Sequence, residues 1–266
     1  MKRIIMSAGA LGWAALSAFA QQKEGTIVYE RTTQVQMRIM GMNEEMERAI
    51  PKTRTDKFEL VFGNGQSLWH QAEQEAQDDN SSGGGVQIHM MVAGSDNVLY
   101  NNFENGKRTE LRELFDKKFI IDDSIRSLKW KMGEETKTIL NHLCRKATAT
   151  TISQRTTMNM DNGKMERKEV SDTSVIIAWF TSEIPVPAGP AEYQGQLPGL
   201  ILEMDIGDGR QLYKALAISE KADLASIKEP TGKKHYTPEE YRKETAKMME
   251  EMQKNNSGGQ RVFRMN

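Results

Sequence analysis

Apolar and polar residues alternate along much of the chain, and this alternation predicts β-strands. Thr26 to Arg31 is a first such segment, and Phe58, Leu60 and Phe62 place three apolar side chains on one face of the next. Asn64-Gly65 follows at once and favours a type I′ hairpin turn, because both of its central residues need positive φ. The same kind of dipeptide recurs at Asn105-Gly106, Asn162-Gly163 and Asp208-Gly209.

Closely spaced hairpins favour a meander, in which each strand pairs with the next one in the chain. After the last of these turns, Leu212, Leu216 and Ile218 are predicted to share one face of a strand. The predicted fold is therefore mainly β, a single curved antiparallel sheet or half-barrel-like meander with one apolar concave face. A short helix and a C-terminal amphipathic helix complete it.

The two helices have different sequence signals. Met42 to Ala49 is predicted as the short helix, stopped by Pro51. Thr237-Pro238-Glu239-Glu240 supplies an N-cap hydroxyl, a proline at the first helical position and a capping-box glutamate. One stripe at helical spacing then follows, formed by Tyr241, Thr245, Met248, Met249 and Met252. The polar stretch from Gln71 to Gly85 is predicted to be a loop.

The first 20 residues resemble a secretory signal. Lys2 and Arg3 precede the apolar stretch from Ile4 to Phe19, and Ala18-Phe19-Ala20 fits a cleavage site. We therefore expect a cleaved signal peptide over residues 1–20 and an exported protein, periplasmic or associated with the outer membrane. A second long apolar run is missing from the sequence, so the mature protein is expected to have no membrane span.

The mature chain is predicted to contain a β domain over residues 21–228 and a linker, helix and tail over residues 229–266. The formal net charge is −1, without the clustered basic excess of a nucleic-acid-binding protein. Cys144 is the only cysteine, so an internal disulfide is excluded.

Three segments in the second half resemble, in order, the motifs of a known family. They are Cys144-Arg145-Lys146-Ala147-Thr148, the stretch from Ala178 to Pro190 that contains Trp179, and Gly195-Gln196-Leu197-Pro198-Gly199-Leu200-Ile201-Leu202-Glu203. The chain thus resembles the GLPGLI family of exported proteins, found mainly in Bacteroidetes. The resemblance implies an envelope protein of unknown function and supplies no catalytic residues. It departs at Gln196, an extra residue within the motif, and the stretch from Ser153 to Ser174 is predicted to be an extended hairpin.

The third segment predicts a rigid turn that leads into a core strand. Pro198-Gly199 suits the centre of a type II turn, with positive φ at Gly199. Leu200, Leu202, Met204 and Ile206 are predicted to share a face of the strand. The residues proposed for the structural motif or the rim of a cavity are Cys144, Trp179, Pro190, Leu197, Pro198, Gly199 and Leu200.

Several groups offer candidate chemistry. His142 lies two residues before Cys144, an arrangement that permits a thiol-dependent hydrolase, while a buried free cysteine is the alternative. Methionines cluster with a histidine in part, which permits copper binding; the alternative is apolar packing. The clusters are Met37, Met40, Met42 and Met46; His89-Met90-Met91; Met158, Met160 and Met165; and Met248, Met249 and Met252. The pairs Asp122-Asp123 and Glu134-Glu135 are interpreted as solvated turns.

We expect from these observations an exported envelope protein that is not an enzyme and uses no cofactor or metal. It binds an apolar ligand in the concave face, a peptide, or another envelope protein, with the C-terminal helix covering the cavity or contacting the partner. Soft-metal binding and a hydrolase based on Cys144 are the alternative functions.

Overall fold

The alternating segments of the sequence form strands, most of which pair with their neighbours in the chain. The computed structural model describes residues 22–35, 52–72, 97–114, 116–161 and 164–257. These residues form one sheet of 12 strands, antiparallel at every pairing except the last at one edge, which confirms the mainly β prediction. The strands are β1 Gly25–Gln34, β2 Thr53–Gly63, β3 Gln66–Gln71, β4 Val98–Asn102, β5 Lys107–Leu114, β6 Lys117–Ser124, β7 Lys131–Ile139, β8 His142–Asp161, β9 Lys164–Thr181, β10 Leu200–Ile206, β11 Gln211–Ser219 and β12 His235–Tyr236.

The sheet consists of two meanders joined at their ends. Strands β1 to β6 lie side by side in chain order, and so do β7 to β11. Because β1 pairs with β11, the order across the sheet is β12-β6-β5-β4-β3-β2-β1-β11-β10-β9-β8-β7. The first hairpin turn has positive φ at both Asn64 and Gly65, as its sequence predicts.

One short connection forces this sheet to curl. Residues 125–130 join β6, next to one edge of the sheet, to β7 at the other edge. Ten strand spacings would place these strands about 48 Å apart in a flat sheet. The chain between Ser124 and Lys131 spans at most about 25 Å when fully extended. The two edges must therefore approach each other, in agreement with the predicted curved, half-barrel-like meander.

The curl brings side chains of distant strands together in one core. Tyr29 of β1 donates its hydroxyl hydrogen bond to the carbonyl oxygen of Ile201 in β10, although β11 lies between the two strands. Trp69 of β3 packs against Tyr29, with ring centroids 5.4 Å apart, and stacks on Phe58 at 4.9 Å. Tyr213 of β11 meets the same indole edge-on. These rings fill the centre of the core.

A bulge in β11 corrects one prediction. Val28 pairs with Ala217 and Tyr29 with Ala215, so Leu216 is an extra residue opposite β1. Leu216 is 43% exposed, and the buried residues of the strand are Tyr213 and Ala215. The prediction that Leu212, Leu216 and Ile218 share a face is wrong, because the bulge changes the alternation that the prediction assumed.

A second bulge has the same effect in β10. Ile201 pairs with Phe180 and Glu203 with Trp179, so Leu202 is the extra residue. Ile201 rather than Leu200 therefore shares a face with Met204. Leu200, Ile201, Leu202 and Met204 are all buried, so the strand is apolar on both sides at its start. The predicted single face of Leu200, Leu202, Met204 and Ile206 is thus wrong, although the prediction of a core strand is confirmed.

The last part of the described chain covers the edge of β6. Ile227 packs with Val61, Leu68 and Tyr100 in a second, smaller cluster. His235 and Tyr236 then form β12, which pairs in parallel with Ile120 and Ile121. The backbone of β6 is thereby paired at Ile120 and Ile121, so the middle of this strand is covered on its outer side.

Helix α1, Pro238–Ser257, begins as its sequence predicts. The Thr237 hydroxyl accepts a hydrogen bond from the Glu240 N–H at 3.2 Å, and the Glu240 carboxylate accepts one from the Thr237 N–H at 2.7 Å. This reciprocal pair is the predicted capping box. Tyr241 in the first turn packs edge-on against Phe119 of β6, with ring centroids 5.3 Å apart.

Some predictions lie outside the described residues: the helix from Met42 to Ala49, most of the loop from Gln71 to Gly85, and the Asn162-Gly163 turn. Strands β8 and β9 nevertheless pair from Arg145 and Phe180 out to Asp161 and Lys164, so the extended hairpin over residues 153–174 is confirmed. Within the described part of the chain, α1 is too polar to cross a bilayer, and no other helix is long enough.

Replacing Tyr29 with Phe tests how much the contact across β11 contributes. Tyr29→Phe keeps the ring and removes the hydroxyl, which leaves the buried Ile201 carbonyl without this donor. We expect the free energy of unfolding in urea to fall by about 1–2 kcal/mol. Tyr236→Phe on the edge strand is the control, with an expected loss below about 0.5 kcal/mol. Equal losses in the two variants would contradict the central role of Tyr29.

Candidate functional site

The family motif forms part of the core. Residues 182–199, which we call the inner loop, connect β9 to β10 and bury five apolar side chains in the same cluster as Tyr29: Ile184, Val186, Ala188, Tyr193 and Leu197. The Leu200 N–H donates to the Ile184 carbonyl at 3.1 Å and the Ile201 N–H to that of Ala188 at 3.0 Å. The concave face that the sequence offers to an apolar ligand is thus packed by the chain's own inner loop.

The residues proposed for a cavity rim are mostly buried. Five of them lie in the interior: Cys144, Pro190, Leu197, Gly199 and Leu200. Trp179 is half-buried, and the Lys137 ammonium lies 4.3 Å from the centre of its ring. Pro198 is exposed. Because most of these residues are buried, packing in the core explains their apolar character.

The turn at Pro198-Gly199 differs from the predicted type II turn. The Gly199 N–H donates to the Leu197 carbonyl at 2.9 Å, which closes a three-residue γ-turn around Pro198, and φ of Gly199 is not positive. Glycine is required here by space, because a Cβ atom would lie 2.1 Å from the Thr181 carbonyl oxygen. The prediction of a type II turn is therefore wrong. It attributed this glycine to a need for positive φ, whereas glycine is needed because the Thr181 backbone lies so close.

Gln196 is the residue by which the sequence departs from the family motif. Its side chain forms hydrogen bonds that join the inner loop to the connection between the sheet edges. Its side-chain oxygen accepts hydrogen bonds from the Leu128 N–H and the Trp130 indole N–H, both at 3.0 Å. Its amide nitrogen donates to the Glu192 carbonyl at 3.1 Å. One amide group thus joins two segments that the sequence separates by more than 60 residues.

Cys144 lies in surroundings that disfavour a nucleophile. The thiol is fully buried, and its sulfur lies 3.5 Å from the carbonyl oxygen of His142. The His142 ring bonds to Glu183 instead, with Nδ1 2.8 Å from a carboxylate oxygen. Burial raises the pKa of the Cys144 thiol to about 11, so the thiol is protonated at neutral pH. These features fit the alternative of an apolar packing residue.

The described residues offer little to a metal ion. They contain no cluster of three or more His, Cys, Asp or Glu side chains arranged for a metal. Met37, Met40, Met42, Met46 and His89-Met90-Met91 lie outside the described part of the chain. In α1, Met249 and Met252 are about half-exposed, so the predicted apolar stripe is only partly buried.

A polar groove lies where α1 begins. It has a volume of about 290 Å³ and lies between one face of the β5–β6 hairpin and the first turn of the helix. We call it the arginine groove; its lining residues are Arg108, Glu110, Arg112, Ile121, Asp123, Arg126, Pro238, Tyr241 and Arg242. Four guanidinium groups and two carboxylates line it, so two positive charges are unbalanced.

The carboxylates hold three of these arginines in place. Asp123, which is mostly buried, contacts Arg108 at 2.9 Å and Arg126 at 3.1 Å. Glu110 accepts a hydrogen bond from Arg112 Nε at 2.6 Å. Burial opposes the charge of Arg112, but the hydrogen bond and charge of Glu110, together with Tyr241, outweigh this effect and raise the pKa of the guanidinium. The groove is therefore a set of positioned, permanently charged donors.

The guanidinium of Arg112 also lies over the ring of Tyr241, 5.4 Å from its centre. This contact links the floor of the groove to the helix that forms its wall, in addition to the packing of Tyr241 on Phe119. The first turn of α1 is thereby fixed against the sheet.

On the opposite face of β5 and β6, a second polar network holds the segment that leads to α1. The His235 ring bonds to Asp122, with Nδ1 2.7 Å from the carboxylate. Thr109 donates its hydroxyl proton to Asp122 or to Glu229, with distances of 3.1 and 2.9 Å, and Lys107 pairs with Glu229. Burial disfavours the charge of Asp122, but its hydrogen bonds to His235 and Thr109 and the nearby charge of Lys107 together lower its pKa.

The sequence contained a signal for the groove. Arg108, Glu110 and Arg112 alternate along β5, which places all three on one face of the strand. Their partner Asp123 and its neighbour Asp122 are predicted to lie in a solvated turn, and this prediction is wrong, because both acids lie within β6 opposite Arg108 and Thr109. The contribution of α1 has no local signal, since it depends on how the helix returns to the sheet.

Part of the chain matches a known protein family. Residues 130–203 match the model of a family described as a protein of unknown function (Porph_ging). This is the GLPGLI-type family, so the predicted resemblance is confirmed over these residues. The matched segment contains β7 to β9, the inner loop and the start of β10, and it excludes the arginine groove. No curated protein is significantly similar to the chain.

Two solved structures of PNGF-II resemble the fold. The structure in space group P21 has a TM-score of 0.50 and 13% sequence identity, and the alignment covers 83% of this chain and 32% of that one. The structure in space group C2 has a TM-score of 0.47 and 15% identity, covering 81% and 31%. This chain thus spans about a third of the length of PNGF-II. At these identities the similarity concerns the fold alone.

Replacing Gly199 with Ala tests the close approach in the inner loop. The new methyl group would collide with the Thr181 backbone, so we expect a loss of about 3 kcal/mol in the free energy of unfolding. Gly133→Ala is the matched control, because its Cβ would lie at an ordinary 3.4 Å from the nearest atom. Chemical denaturation measures both. A Gly199 variant as stable as the control would contradict the assigned role.

Alkylation of Cys144 tests whether its thiol is accessible. With the pKa raised from 9.0 to about 11, the folded protein holds about a hundredfold less thiolate at pH 8 than the unfolded chain. Burial slows the reaction further. We expect iodoacetamide to modify the folded protein at least a hundredfold more slowly than the protein in urea, measured by intact mass. Comparable rates would restore the nucleophile hypothesis.

Proposed function

We propose that this chain is an exported, non-enzymatic protein of the bacterial envelope that binds an anionic group of a partner in the arginine groove. Export is supported by the secretory pattern of residues 1–20, and a location in the periplasm or at the outer membrane follows from it. The observation that carries the binding proposal is the groove itself, a concave site with four arginines and two unbalanced positive charges.

The guanidinium groups suit an anion because they present planar pairs of N–H donors. Such pairs match the two oxygens of a carboxylate or of a phosphate group in bidentate geometry. The carboxylates of Asp123 and Glu110 use only part of this donor capacity, since each arginine carries five N–H groups. Arg242 is exposed and has no ion pair with either groove carboxylate among the contacts described, so its donors can face a ligand.

The groove contains binding features without an obvious catalytic group. Its two carboxylates are held by arginines, and its tyrosine contacts Phe119 and Arg112. General catalysis requires a positioned acid, base or nucleophile, whereas each carboxylate that lines the groove is paired with an arginine. Recognition is therefore the function that this geometry favours.

Titration with a small dianion tests this proposal. Glutarate and inorganic phosphate are added separately to the full chain at low salt, and the arginine Nε–H signals are followed by NMR. We expect saturable shifts with a Kd of about 1 mM, corresponding to about 4 kcal/mol from several partly exposed charge contacts. Added salt should weaken binding, because screening acts on exposed charges.

Two charge-removing substitutions on one helix separate the groove from general electrostatics. Arg242→Gln should weaken glutarate binding by roughly three- to fivefold, because it removes one charged contact of up to about 1 kcal/mol. Lys247→Gln removes the same charge from an exposed position beyond the groove and should change the Kd less than about twofold. Equal effects of the two substitutions, or shifts that do not saturate, would rule out the groove as the site.

A further inference from the structure

The face of α1 that lines the arginine groove continues beyond it. At 100° per residue, Pro238, Arg242, Met249 and Met252 lie within about 80° of one another around the helix. Pro238 and Arg242 line the groove, and Met249 follows Arg242 by two turns, about 10 Å along the axis. The charged site and the two methionines thus form one continuous surface.

The two methionines are accessible from the exterior. Met249 is 51% exposed and Met252 is 49% exposed, whereas Tyr241 at the start of the same helix packs on Phe119. Within the described part of the chain, α1 is therefore anchored at its first turns and presents its later apolar residues to the exterior. Methionine side chains adapt to differently shaped apolar partners.

We infer that the partner is an amphipathic helical segment of another protein, whose acidic side chain occupies the arginine groove while its apolar residues cover Met249 and Met252. This inference rests on the proposed function and specifies the partner. The spacing suits a partner helix that packs along α1 in either direction. A carboxylate on the partner, with apolar residues seven and ten positions away, repeats the spacing of Arg242, Met249 and Met252 on α1.

The charge of α1 argues against an anionic membrane as the occupant. The helix carries four basic residues, Arg242, Lys243, Lys247 and Lys254, against five glutamates. A helix that binds anionic lipids has a polar face rich in Lys and Arg. Here the positive excess is confined to the groove, which favours a partner with a localised negative charge next to an apolar surface.

Peptide selection tests this inference. A phage library of random 16-residue peptides is selected on the immobilised full chain, and the enriched peptides are synthesised for fluorescence anisotropy. We expect them to carry Asp or Glu with Leu, Ile, Met or Phe seven and ten residues away. The double substitution Met249→Gln and Met252→Gln should weaken peptide binding by about tenfold, because it removes an apolar anchor of the interface. Glutamine is chosen because it preserves the helix propensity of these positions.

Glutarate separates failure of this inference from failure of the proposed function. The methionine double variant should bind glutarate with an unchanged Kd, whereas Arg242→Gln should weaken both glutarate and peptide. If glutarate binds but the double variant retains full peptide affinity, or the peptides lack the acidic and apolar spacing, the helical partner is refuted and the groove remains. Binding to phosphatidylglycerol vesicles in place of peptides would likewise overturn it. Absence of glutarate binding refutes the proposed function itself.

Discussion

The short connection between β6 and β7 is the constraint on which the rest of this structure depends. Residues 125–130 are far too few to cross a flat sheet of this width, so the sheet must curl. Once it curls, the inner side becomes a confined volume that needs filling. The aromatic rings of β1, β3 and β11 and the inner loop fill it. The curvature of the sheet, the packing of its core and the position of the inner loop therefore depend on one another.

The family motif is best understood within this arrangement. Its prolines and glycines give the inner loop a compact backbone, and the close passage of Gly199 beside Thr181 lets that backbone lie against β9. Gln196 then bonds the loop to Leu128 and Trp130, within the connection that closes the sheet. In this chain the inner loop therefore stabilises the closure of the fold through Gln196, the residue that departs from the family motif, while most of the motif residues are packed in the core.

The sequence predicts what local rules control. The strands, the Asn64-Gly65 turn and the capping box at Thr237 each depend on neighbouring residues, and each is found. The bulges at Leu202 and Leu216 were not predictable, because each arises from the fit to a partner strand distant in the chain. The sequence indicates only one wall of the arginine groove, through the charges that alternate along β5. Its other wall required knowledge of where α1 returns to the sheet.

Arg126 belongs both to the connection that closes the sheet and to the lining of the arginine groove, where it shares Asp123 with Arg108. The position of its charge is therefore set by closure. By thermodynamic reciprocity, a ligand that draws on Arg126 stabilises the closed seam by as much as closure strengthens binding. Under the proposed function, a ligand in the groove would therefore stabilise the curled sheet as a whole as well as bind at its surface.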